Sequence, residues 1–171
     1  MSRIIENLKE KLLDEACYQI DTYGHNAMTI RSISKACGVA VGTVYNYYAS
    51  KDEILEAYFF RKWNKCVEAI YFISRYSKTY DAVIHCIYDQ IKQFEADHAF
   101  LFQDEAVSHV IESAMFRFQH VMSRQLAQPL RKYCASDTEA EIIAEALMIW
   151  IRTGKRYEDI YKNVEKLVDQ S

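Results

Sequence analysis

Apolar residues recur along this chain at spacings of three and four, the period of an amphipathic helix. Ile5, Leu8, Leu12, Ala16 and Ile20 form one stripe over residues 3–23, and Gly24 ends it. Ile33 and Ala36 form a shorter stripe, with Thr29 placed to cap its start and Gly38 to close it. The turn after that helix needs a positive φ, which glycine adopts without strain. Val39 follows as a short apolar plug, and a second short helix is predicted over 41–48. Ser50 with Glu53 is a capping box, opening a long helix over 50–75. Its early residues Ile54, Leu55 and Tyr58 pack back on the first helices, while Trp63, Val67 and Ile70 face a second core.

Further along, Ile84, Ile87, Ile91 and Phe94 mark a helix over 79–96, and the pattern breaks at 97–100. Two more segments are predicted over 99–133, with Pro129 either kinking the second or opening a new first turn. Ser136 and Glu139 make another capping box, opening a helix through Ile143, Leu147 and Ile151 that Gly154 closes. A last helix over 157–169 carries Ile160, Val164, Leu167 and Val168.

No run alternates apolar and polar residues strongly enough to predict a sheet. None of the four glycines lies between positions 42 and 154, and there is one proline in 171 residues. The fold expected is all-α, with a helix-turn-helix domain over 1–50 and a helical domain over 51–171. A helix shared by the two acts as a lever: moving its far end moves the near one.

Charge changes this picture at one place. The net charge is −3, with 24 carboxylates, yet none falls between Thr22 and Lys51. That window holds Arg31, Lys35, Lys51 and His25, which suits a surface that meets phosphates. Its second short helix offers Val41, Gly42, Thr43, Tyr45, Asn46 and Tyr47, small, hydroxyl, amide and phenol groups that reach base edges or phosphate oxygens. Thr29, Tyr45 and Lys51 are assigned to phosphates, Arg31 and Thr43 to bases with Tyr47 nearby, and Asn46 to either.

These residues carry a resemblance. Thr29-Ile30-Arg31-Ser32-Ile33-Ser34, Ala36-Cys37-Gly38-Val39, Gly42-Thr43-Val44-Tyr45-Asn46-Tyr47-Tyr48 and Ser50-Lys51-Asp52-Glu53-Ile54-Leu55 resemble the DNA-binding domain of the tetracycline-repressor (TetR/AcrR) family of bacterial transcriptional regulators. The match covers residues 5–56. One position departs from it: the family usually places Ser or Thr at the cap of the recognition helix, and this chain has Ala40. The lost oxygen is worth about 1 kcal/mol.

The resemblance implies a homodimeric repressor that reads a near-palindromic double-stranded operator and is released by a small apolar or aromatic effector. It implies an apolar pocket in the C-terminal domain, for which Trp63, Phe94, Met115 and Phe116 are the candidates. It also implies a dimer interface on the last two helices. Their stripes are Ile142, Ala146, Ile149 and Trp150 on one and Ile160, Val164 and Leu167 on the other. The stripes alone fit closure of the chain's own core equally well as a four-helix bundle with a second copy. A two-fold dimer would set the recognition helices about 34 Å apart, near one DNA turn.

Other chemistry has little foothold. There is no GxSxG, HExxH, GxGxxG or P-loop, so no catalytic residue, enzyme activity or cofactor is expected. Glu105, His109 and Glu112 stand at i, i+4 and i+7, which places a metal on one helix face within reach. A solvated face explains them as well, and no metal is expected. Five cysteines without a CxxC pair read as reduced thiols. The charged N-terminus is no signal peptide, and no apolar run nears the ~18 residues of a membrane span. The expected location is cytoplasmic. The alternative function is a helical protein-interaction adaptor on the same fold, without a small-molecule effector.

Overall fold

The computed structural model describes residues 7–168, and in the last helix the side chains through Glu165. Ile5 and the side chains of Leu167 and Val168 lie outside the described residues. Helices and one 3-10 turn account for the secondary structure among the described residues, with no strand. The fold is all-α. The chain divides into two compact units, Met1–Arg61 and Lys62–Ser171.

The first unit holds α1 (Leu8–Tyr23), α2 (Ile30–Ala36), α3 (Val41–Tyr45) and the opening turns of α4 (Lys51–Ser74). Its core gathers Leu12, Ala16 and Ile20 of α1 with Met28, Ile33, Val44, Tyr48, Ile54 and Phe59, all nearly or fully inaccessible. Polar ties fix α4 on α1. The Tyr58 hydroxyl donates to Asp21 at 2.6 Å, and Arg61 pairs with both Glu10 and Asp14. Burial first, and the Asp21 contact second, push the Tyr58 phenol far above its usual range.

The second unit takes the rest of α4, then α5 (Tyr80–Asp97), α6 (Phe100–Gln103), α7 (Glu105–Arg117), α8 (Gln119–Ala127), a 3-10 turn (Arg131–Tyr133), α9 (Asp137–Arg152) and α10 (Tyr157–Val168). α8 packs along α9, and α10 lies on α5 and α9. Ser136 caps α9 by accepting from the Glu139 N–H at 3.1 Å, and Glu139 reaches back to the Ala135 N–H at 2.6 Å.

The stretch 99–133 differs from its expectation. Three helices stand there instead of two segments. The Asp104 carboxylate accepts from the N–H groups of Ala106 and Val107 and so starts α7 afresh. Phe118, at φ −109° and ψ 13°, separates α7 from α8. Pro129 neither kinks a helix nor opens one: it is buried in the turn after α8, ahead of the 3-10 turn. No helix among the described residues is long and apolar enough to cross a membrane.

Candidate nucleic-acid interface

Local hydrogen bonds set the two short helices. Thr29 Oγ1 accepts from the Ser32 N–H at 3.0 Å, and Ser32 Oγ accepts from the Thr29 N–H at 3.0 Å. These two bonds satisfy reciprocally the donors that a helix start leaves open. Ser32 also donates to Gln19 Oε1 of α1 at 2.6 Å, and Gln19 donates on to Glu15 at 2.7 Å. This partly buried link between α1 and the cap of α2 escaped the sequence reading. The signal for it was a lone glutamine one residue before Ile20 on the apolar side of α1.

Gly38 closes α2 at φ +66°, where an L side chain is strained. The Val39 N–H returns to the Ser34 carbonyl at 3.0 Å, and the chain turns into α3. Ala40 stands at the cap with extended backbone and no side-chain hydrogen bond. α3 is shorter than expected, ending at Tyr45 instead of position 48. The N–H groups of Tyr47 and Tyr48 both bond to the Val44 carbonyl at 3.0 Å, tightening the last turn. Val44 and Tyr48 point inward and are buried. The Lys9 ammonium lies over the Tyr48 ring, 5.5 Å from its centroid. Burial, then Glu10, push that phenol up to about 12.

What remains outward is the set the sequence singled out. Thr29, Arg31, Val41, Gly42, Tyr45, Asn46 and Tyr47 are exposed, and Thr43 and Lys51 are half-buried. The Thr29 hydroxyl is engaged in its own cap. Among the described residues Arg31, Lys35 and Lys51 have no ion-pair partner. Lys35 is exposed in the same window and belongs with the candidates. Beside Lys51, the Glu53 carboxylate turns back onto the Ala49 N–H at 2.5 Å, and Ser50 Oγ accepts from the Glu53 N–H at 3.2 Å.

The pocket candidates separate into two places. Trp63 and Phe94 are core residues, with rings edge to face at 5.8 Å, and the Trp63 indole N–H donates to Gln125 at 2.8 Å. Met115 and Phe116 instead line an open groove of about 490 Å³ between α7 and α9. Met148 and Ile149 complete its apolar wall, and Glu112, Glu145 and Arg152 supply its charge. Phe116 is 80% exposed there.

The interface candidates separate as well. Ile142 and Ile149 of α9 are 55% and 56% exposed, and Ala146 and Trp150 are half-buried. Ile160 and Val164 of α10 are fully buried within the chain's own second unit, so packing on α5 and α9 has already claimed that face. Glu105, His109 and Glu112 are exposed along α7, and among the described residues no three His, Cys, Asp or Glu side chains converge as a metal site.

The family model "Bacterial regulatory proteins, tetR family" matches residues 12–58, from the middle of α1 into α4. No curated protein matches the chain by sequence. Among solved structures, a protein of Streptomyces coelicolor A3(2) assigned as a transcriptional regulator is 13% identical. That alignment covers 94% of this chain and 97% of that one, with a TM-score of 0.59. A TetR transcriptional regulator from Legionella pneumophila is 18% identical, covers 98% of each chain and has a TM-score of 0.50. The multidrug binding protein EbrR, complexed with imidazole, is 12% identical over 94% of each chain, with a TM-score of 0.52. At these identities the likeness is one of fold, and it spans both units. The family model falls on the helix-turn-helix described above, so over residues 12–58 the chain matches the bacterial regulatory proteins of the tetR family.

Proposed function

We propose that this protein is a homodimeric, sequence-specific transcriptional repressor of the cytoplasm, with α3 read into the major groove of a near-palindromic operator. The observation that carries the reading is the acid-free helix-turn-helix, whose cations Arg31, Lys35 and Lys51 have no carboxylate partner among the described residues while its exposed side chains suit base edges and phosphates. Arg31 and Thr43 touch bases with Tyr47 nearby, Tyr45 and Lys51 hold phosphates, and Asn46 serves either role. Thr29 serves the phosphate side through the cap it holds.

The two-fold contact is supported by the outward face of α9, where Ile142 and Ile149 stand seven residues apart on one stripe. The effector site is supported by the groove between α7 and α9, whose Met115, Phe116, Met148 and Ile149 suit an apolar or aromatic molecule. An effector acts by binding one spacing of the DNA-binding units better than another, a coupling of about 1–3 kcal/mol. α4 contributes to both units and is the element able to carry it.

The test is fluorescence-anisotropy binding to tiled DNA around the protein's own gene, at two salt concentrations. One tile binds tightly, salt-dependently and with two chains per site. Arg31→Ala relaxes sequence preference, while Lys51→Ala weakens all tiles alike and lowers the salt slope by about one. Weak, equal binding to every tile together with capture of a stable protein partner overturns this reading in favour of the adaptor.

A further inference from the structure

Two further stretches lack any Asp or Glu, residues 69–80 and 113–136. The fold of the second unit brings them together. Lys132 Nζ and the Tyr133 hydroxyl both donate to the Ser77 carbonyl, at 3.1 and 3.3 Å, and the Tyr71 hydroxyl donates to the Gln125 carbonyl at 2.8 Å. Beside these bonds lies a groove of about 290 Å³ lined by Tyr71, Ser74, Arg75, Gln128, Pro129 and Lys132. The lining holds two cations and no carboxylate. Arg75 is exposed and has no ion-pair partner among the described residues, and the same holds for Lys78 in the following loop. Arg131 is already occupied by Asp137 at 3.3 Å.

An apolar patch adjoins this groove. Phe72 is 64% exposed and Tyr76 69%, with rings edge to face at 5.8 Å, and Ile73 is exposed beside them. Arg75 lines the groove from the turn that follows α4, and in the chain it stands between Phe72 of the last helical turn and Tyr76. Exposed large apolar side chains clustered beside unpaired cations mark a binding surface. The charge is of one sign, unlike the mixed charge of the groove between α7 and α9.

We propose that the end of α4 binds an anionic amphiphile, its phosphate or carboxylate head between Arg75 and Lys132 and its apolar chain over Phe72, Ile73 and Tyr76. Arg75 presents a planar fork that meets two head oxygens at once, Lys132 adds a point charge, and the Gln128 amide is a further donor at the rim. This site is separate from both the DNA-facing helices and the effector groove.

The experiment is calorimetric titration of the full chain with decyl phosphate below its micelle concentration, with inorganic phosphate and decyltrimethylammonium in parallel. Decyl phosphate binds at least about tenfold more tightly than either. R75E lowers its affinity by about tenfold, and the double variant F72S/Y76S lowers it by a smaller factor, both with unchanged helical circular dichroism. Lys132 also holds Ser77, so R75E, whose side chain supports nothing else, is the decisive variant. Binding of decyltrimethylammonium equal to decyl phosphate, no binding of decyl phosphate, or an unchanged affinity in R75E overturns the site. A shift of self-association in F72S/Y76S with decyl phosphate affinity intact also overturns it and gives the patch to a second copy. Co-sedimentation with phosphatidylcholine vesicles, with and without phosphatidylglycerol, separates the sources. Selective uptake by the anionic vesicles makes the ligand a lipid headgroup, and titration without uptake makes it a free molecule.

Discussion

The outward faces of α3 and α9 are built on opposite terms. On α3 and the turn that closes it the exposed residues are Val41, Gly42, Tyr45, Asn46 and Tyr47, and no carboxylate stands within the whole turn-helix stretch. On α9 the exposed apolar residues Ile142 and Ile149 are interleaved with Glu141, which pairs with Arg124 of α8, and Glu145, which lies near His120 of α8. The first face is free of negative charge, which suits contact with phosphates. The second keeps both signs and places apolar groups between them, as a protein–protein contact does. Residue types at fixed local spacing define the first surface. The second depends on which side of an ordinary amphipathic helix the neighbouring helices have left open.

The sharpest way to break the comparison is within the second surface. Ile160→Ala opens a cavity in a fully buried position and costs about 2–5 kcal/mol in urea denaturation. Ile149→Ser alters an outward residue, changes the stability of the dilute protein by no more than about 0.5 kcal/mol, and weakens self-association in sedimentation equilibrium. If Ile149→Ser leaves the oligomeric state untouched, the outward face of α9 is not the contact. If Ile160→Ala is as mild as Ile149→Ser, α10 does not pack as described.

Much of this was readable from the chain, for a physical reason. The caps at Thr29, Ser50 and Ser136 are closed by partners three or four residues away, and the turn at Gly38 is a property of one residue. Such features survive without knowledge of the fold. The ties that seat α4 on α1, Tyr58 to Asp21 and Arg61 to Glu10 and Asp14, join residues far apart in sequence, and no local pattern announces them. The same limit governed the second unit. Trp63, Phe94, Met115 and Phe116 are alike as apolar side chains, yet two are core and two line a groove. Ile149 and Ile160 share a residue type and a helical spacing, and only the placement of α5 against α10 decides which is free.

A weaker lever compares the cores of the two units through pH. Burial holds the Cys66 thiol in the second unit at about 12, against an ordinary 9.0. It holds the Tyr48 phenol in the first at about 12, against 10.0. In each case the folded state keeps a proton that the unfolded chain releases. Above the unfolded value the unfolded state binds fewer protons, so stability falls as pH rises towards the folded value, and below the unfolded value the contribution is complete. The loss attributable to Cys66 therefore begins near pH 9, one unit before that of Tyr48. Within its window Cys66 steepens the fall by about 1.4 kcal/mol per pH unit. Cys66→Ala should flatten the denaturation free energy between pH 9 and 10, where Tyr48→Phe flattens it by a smaller amount. Equal slopes for wild type and Cys66→Ala in that interval would remove the thiol from the account.

The smallest effect bears on the recognition helix itself. α3 has five residues, no side-chain cap at Ala40, and only Val44 buried within it, so its stability comes from the turn before it and Tyr48 after it. Ala40 already has the extended backbone of a cap residue, φ −69° and ψ 148°, so a serine there needs no rearrangement to accept a hydrogen bond from the first turn. Ala40→Ser should therefore stabilise the first unit by about 0.5–1 kcal/mol, seen as slower amide exchange at Thr43 and Val44. Thr29→Ala removes an existing cap and its link through Ser32 to Gln19, and loses about 1 kcal/mol. A helix loosely held before binding costs affinity when it is ordered on the operator, so Ala40→Ser should also tighten operator binding by the same small margin. Slower exchange without tighter binding would mean that α3 is already ordered in the free protein, and that the chain lost nothing in recognition by placing alanine at its cap.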